Sequence, residues 1–199
     1  MQKLVDKITY KKHEDCHTIV ISPTIERWQL GSLLVWLIAW TICGGFFIYS
    51  LVSEGYGGNK LIVMIMLLSL WLYFEVRIGR AYLWRIKGLE IIRIDHSEFS
   101  IKDSIFNYGE AKKYQLSEFE ADDIENMHIN PSSYSKVMND SFWQVGQGTV
   151  VLKYEEREIY FGTQLENKDA AALAKLLKKL VGKYKRENEA QLLLDSESN

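Results

Sequence analysis

The chain has 199 residues, with 24 Lys+Arg against 26 Asp+Glu and a formal net charge of −2. Hydrophobic residues make up 47% and mean hydropathy is −0.13, which excludes disordered, collagenous and disulfide-rich classes and leaves room for one or two modest domains. The charge balance excludes a strongly basic nucleic-acid binder.

Residues 1–27 carry Lys3, Lys7, Lys11, Lys12 and Arg27 and read as a cytoplasmic N-terminal segment beside a membrane. Within it, the run HEDCH at 13–17 places two imidazoles and a thiol close together. The spacing matches no zinc finger and no second ligand pair follows, so the run reads as a polar juxtamembrane segment. Cys16 and Cys43 are the only cysteines, and the second falls deep in an apolar run, so no disulfide is expected.

Residues 28–84 predict a two-helix transmembrane hairpin. From 28 to 53 there are 26 residues without a charge, and about 20 suffice to cross a bilayer core as a helix. A second apolar run starts at Leu61 and stays uncharged to Phe74, giving spans over about 28–53 and 61–80. Three glycines within 53–60 make the connection a turn. The length and position of the first run do not fit a cleaved signal peptide. Basic residues flank the hairpin at 1–27 and again at Arg77, Arg80, Arg85, Lys87 and Arg93, whereas the loop holds only Lys60. That asymmetry predicts both termini in the cytoplasm. Trp28 and Trp84 mark the cytoplasmic ends as an aromatic belt, and Trp36 and Trp40 lie deeper.

Glu75 falls about 21 Å beyond Leu61 by helix rise, near the hydrocarbon edge. Such a carboxylate is a functional candidate. Either it pairs with a neighbouring arginine among the headgroups, or Glu75, Arg77, Arg80, Trp84 and Arg85 meet a partner helix or an anionic lipid. Gly44 and Gly45 are mid-span small residues that let another helix approach, from the same hairpin or from a second subunit.

Residues 88–184 read as a soluble β-rich unit closed by a helix. Strands are predicted at 89–95, 98–102, 149–154 and 158–161, with weaker ones at 113–116 and 124–129. Five carboxylates at Glu118, Glu120, Asp122, Asp123 and Glu125 lack the spacing of a calcium loop and read as a solvated acidic edge. Residues 130–141 are turn-rich, and the glycines at 146 and 148 punctuate the next strand. From Asn167 the period becomes 3.6. Ala170, Leu173, Leu177, Leu180 and Tyr184 share a face that closes a core, although a helix lying on the membrane fits the same pattern. Residues 185–199 read as a polar, mobile tail. From Asp95 onward there are 13 Lys+Arg against 19 Asp+Glu, a net of −6.

The segments GTVVLKY at 148–154 and IYFGTQL at 159–165, followed by the Ala/Leu/Lys helix and preceded by the membrane hairpin, make a layout that resembles the bacterial PH-like domain membrane proteins. The photosystem I assembly factors of chloroplasts and cyanobacteria are similar in layout. The resemblance implies a membrane helical hairpin plus an α+β PH-like domain, a small β-sandwich or barrel closed by the C-terminal amphipathic helix. It implies partner binding or assembly work in the bacterial inner membrane, and it carries over no site residue. No phosphate loop, HExxH or G-x-S-x-G motif occurs, so no enzymatic activity, cofactor or metal is expected. The expected partners are membrane lipids and a protein or a second copy, with no nucleic acid. The expected role is an adaptor or assembly factor. An anionic-lipid-binding module or a subunit of a transport complex is the alternative.

Overall fold

The computed structural model describes residues 2–5, 7–22, 27–127, 145–146 and 148–197. The turn-rich stretch expected at 130–141 lies outside them.

The N-terminal segment is part of the folded domain, which corrects its reading as a juxtamembrane stretch. It forms β1 (Gln2–Val5), β2 (Ile8–Lys12) and β3 (Cys16–Ile21). β3 pairs antiparallel with β4 (Gly88–Asp95), from Cys16 opposite Asp95 to Ile21 opposite Glu90. The two long helices, α1 (Arg27–Glu54) and α2 (Asn59–Lys87), are therefore inserted between two adjacent strands of one sheet. β5 (Glu98–Ile105) and β6 (Ala111–Gln115) complete a six-stranded antiparallel sheet in the order β1 to β6.

A second antiparallel sheet holds β7 (Ile124–Asn126), β8 (Gly148–Tyr154) and β9 (Arg157–Thr163). The last helix, α3, runs from Asn167 to Glu197, so the segment expected to be a mobile tail continues as helix. Its acidic and basic residues support it locally, as in the Lys183–Glu187 pair one turn apart.

Both sheets and α3 share one core. Ile19, Ile92 and Ile94 from the first sheet meet Val150, Leu152 and Phe161 from the second, with Leu173, Leu177 and Val181 of α3 closing it. The alternation in β4 sends Glu90, Ile92 and Ile94 inward. The apolar face of α3 thus packs in the domain core as expected, and the surface-helix alternative does not hold. The sheets do not close into a barrel: β1 and β6 remain as edges of the larger one.

His17, from the HEDCH run, points inward and is buried. Its Nδ1 is hydrogen-bonded to the Tyr184 hydroxyl of α3, and the Tyr10 ring stacks on it at 5.5 Å. His13, Glu14 and Asp15 are exposed beside the β2–β3 turn. Among the described residues no group of three metal-ligating side chains assembles. Tyr184→Phe keeps the ring and deletes this buried bond, so unfolding in detergent should show a loss of about 1 kcal/mol.

The registers give the domain two ends. Ile21, Gly88, Ile105 and Thr163 lie toward the hairpin. The β2–β3, β4–β5 and β8–β9 turns lie at the opposite, distal end.

Candidate functional site

The helical hairpin packs along one narrow seam. On α1 the seam runs through Leu33, Leu37, Trp40, Gly44, Phe47 and Leu51, each at least partly buried, with Gln29, Leu30, Trp36 and Ser50 partly covered beside it. On α2 it runs through Leu61, Met64, Leu68, Trp71, Glu75 and Ile78, and beyond Ile78 the buried positions of α2 continue into the domain end of the helix. Both series step by three and four residues, the spacing of a left-handed helix pair. The other faces are apolar and exposed, as at Val35, Ile42, Phe46, Ile62, Met66 and Val76. Only 11% and 6% of the two apolar windows are buried. These are two helices long and apolar enough to cross a membrane, and their exposure is unlike that of a soluble protein's core helix.

Two indoles clasp the seam. The Trp71 Nε1–H donates to the Trp40 carbonyl at 2.8 Å, and the Trp40 Nε1–H donates back to the Trp71 carbonyl at 3.2 Å. Gly44 makes this possible, because a Cβ there would fall inside the Trp71 indole. Gly45 meets nothing within 4 Å. Within the chain, Gly44 seats α2, and Gly45 faces away from that seam. Trp71→Phe keeps an aromatic ring but removes the N–H and part of the indole that fills the space over Gly44. Hairpin stability in micelles should fall by more than the roughly 0.6–1.7 kcal/mol of an interhelical bond in a membrane protein, because packing is lost with it.

One turn further along, the Thr41 hydroxyl lies 2.7 Å from Glu75 Oε1 and 2.8 Å from the Leu37 carbonyl. Glu75 therefore bonds across the seam to α1, where the sequence suggested a neighbouring arginine. Its Oε2 is buried without a hydrogen-bond partner among the described residues.

The other expected contact residues diverge. Arg77 donates to the Tyr73 hydroxyl and lies over that ring, 5.8 Å from its centroid. Arg85 is buried and donates to the Ala81 carbonyl at 3.1 Å, so it does not act as an exposed anchor. Trp84 is also buried, packed against Gly88 where the chain leaves α2 for β4. It is not part of an exposed aromatic belt, whereas Trp28 is 62% exposed. Arg80 and Trp84 line a cleft of about 360 Å³ at the hairpin end of the domain, together with Asp103, Lys112, Tyr114 and Tyr160. Asp103 is held above its usual range by burial, against the pull of Lys112 and Arg80.

A second concavity lies at the distal end. α3 runs on past the core after Tyr184, and Asn188 fastens it to the β4–β5 turn. The Asn188 amide donates to the His96 carbonyl at 2.6 Å, and its Oδ1 meets His96 Nδ1 at 3.2 Å. Between this overhang and the 3-10 turn Leu116–Glu118 is a groove of about 440 Å³, lined by His96, Ser117, Glu120, Lys185, Glu189 and Leu192. Leu192, Leu193 and Leu194 are all about two-thirds exposed or more, at 70%, 66% and 67%.

Three of the five carboxylates of the acidic edge beside this groove pair with lysines. Glu120 binds Lys185 at 2.6 Å, Asp122 binds Lys178 at 3.4 Å and Glu125 binds Lys153 at 2.7 Å. Glu118 accepts from the Tyr154 hydroxyl. The groove was missed in the sequence because it needs α3 to extend beyond 184. The leucine triplet at 192–194 was the available signal.

No family model, curated protein or solved structure matches this chain.

Proposed function

We propose that this chain is an integral membrane adaptor or assembly factor: a PH-like domain carried on a membrane-spanning hairpin, with its distal groove receiving a segment of a protein partner. The observation that carries the reading is the position of that groove. It opens on the end of the domain farthest from the hairpin. The strands flanking the hairpin in sequence, β3 and β4, pair in one sheet, and α2 runs directly into β4, which ties the groove-bearing domain to the hairpin. In this reading the hairpin crosses the bacterial inner membrane and both termini are cytoplasmic, as the basic flanks favour. The chain acts without a cofactor and without catalysis.

The cleft holding Arg80 and Lys112 supports a second reading, in which an anionic lipid headgroup is the ligand. Site-specific photocrosslinking in intact cells separates the two. A photoreactive residue at Ser117 or Glu189 should give the same discrete protein adduct, and one at Lys112 should not. A lipid adduct at Lys112, with none at the distal positions, would replace the adaptor reading with the lipid one.

A further inference from the structure

We infer that the β5–β6 turn dips into the headgroup zone of the bilayer as a third membrane contact, beside the two helices. The inference rests on the reading that the hairpin spans the membrane. β4 leads away from α2 and β5 returns, so that Ile105 lies opposite Gly88, the first residue after the helix. The turn that follows is bonded to the helix end, with the Phe106 N–H donating to the Lys87 carbonyl at 3.3 Å. It therefore projects from the hairpin end of the domain, at the level of the last turn of α2.

The composition of the turn fits a bilayer interface. Phe106 is 51% exposed and Tyr108 is 85% exposed, and exposed aromatic rings concentrate where headgroups meet the hydrocarbon. Leu83 and Ile86, on the last turns of α2, are about 40% exposed at 41% and 40%, so the apolar surface of the helix continues to the turn. Lys87 and Lys112 are exposed near it and suit lipid phosphates, and Glu110 is exposed too, which keeps the turn in the polar layer and out of the core.

The backbone carries a second sign. Phe106 and Asn107 both have positive φ, at 52° and 68°, in a two-residue hairpin loop of the kind that favours Asn and Gly. Asn is at home there; a bulky aromatic is not. Phe106 is held in this conformation with about half of its surface open, at 51% exposed, and backbone strain of this kind gathers at functional contacts.

The test uses the full-length chain in phosphatidylcholine vesicles, with Cys16→Ala throughout. An environment-sensitive fluorophore is attached to native Cys43, which is exposed mid-span, or, with Cys43→Ser, to Tyr108→Cys or Glu156→Cys. Glu156 lies on the β8–β9 turn at the distal end. The headgroup zone reaches only ~5–8 Å beyond the core, so headgroup-borne spin labels should quench position 108 roughly twofold or more above position 156. Acyl-chain spin labels should quench position 43. Quenching at 43 with equal, weak quenching at 108 and 156 overturns the inference and leaves the spanning reading standing. Absence of acyl-chain quenching at 43 overturns the spanning reading, and the inference with it.

Discussion

Gly44→Ala is expected to loosen the hairpin, and Gly45→Ala to leave it unchanged. The two glycines are neighbours in an apolar helix, so propensity and hydrophobicity change equally at both. Only the seam tells them apart. A methyl at 44 occupies the space of the Trp71 indole, while one at 45 meets nothing within 4 Å. The indole has no easy retreat, because its N–H is tied to the Trp40 carbonyl and its own backbone carbonyl receives the Trp40 N–H. Overpacking a close interface costs about 1–3 kcal/mol, and the displaced indole bonds add about 0.6 kcal/mol each. Unfolding by a denaturing detergent, followed by tryptophan fluorescence, should show Gly44→Ala destabilised by more than about 2 kcal/mol relative to Gly45→Ala. Equal effects would mean that the helices do not pack through this seam.

The hairpin itself was legible in the sequence, since charge-free runs broken by a glycine-rich turn admit few other structures. Its seam was not. In lipid the outer face of a helix is as apolar as the packed face, so hydrophobic period carries little phase, and Gly44 could not be preferred to Gly45. The polar exceptions held the phase. Thr41 and Glu75 lie on the seam with Trp40 and Trp71, and taking them as a set would have oriented both helices.

The N-terminal strands were misread for a different reason. Ile8, Tyr10 and then His17, Ile19 and Ile21 carry a fair period of two, but the partner of β3 lies beyond the inserted hairpin, at β4. Local pattern is silent on a pairing across some 70 residues, although the chain closure it requires costs only slowly more with length. The end of α3 was misread because polar sequence was taken as tail. There the helix is supported by pairs one turn apart, such as Lys183–Glu187, and by Asn188 on the β4–β5 turn, with little apolar burial to advertise it. The distal groove inherited that error.

Glu90 was read as one more residue of an alternating strand, yet it joins the two sheets. Its carboxylate is buried and accepts the Gly162 and Thr163 N–H groups, each at 2.9 Å. Gly162 has a positive φ of 76°, which turns the two successive N–H groups of β9 toward one side chain. Burial pushes the Glu90 carboxyl up to about 7, against the pull of these two donors, and Asp103 opposite it on β5 pushes the same way. The folded state thus holds a proton on Glu90 more tightly than the unfolded chain, whose carboxyl has the ordinary value of 4.5. The stabilisation is full below the unfolded value and is lost as pH rises through about 7. Glu90→Gln removes the titration and leaves one N–H without a good acceptor, a pH-independent cost of about 1–3 kcal/mol. In chemical unfolding in micelles, the native chain should therefore lose about 2 kcal/mol relative to Glu90→Gln between about pH 5 and about pH 8. The advantage of the native chain over Glu90→Gln should shrink in that direction, reversing if the cost of the substitution is below about 2 kcal/mol. An advantage that grows as pH rises would mean that the two backbone donors outweigh burial and that the inter-sheet clasp is strongest as the carboxylate.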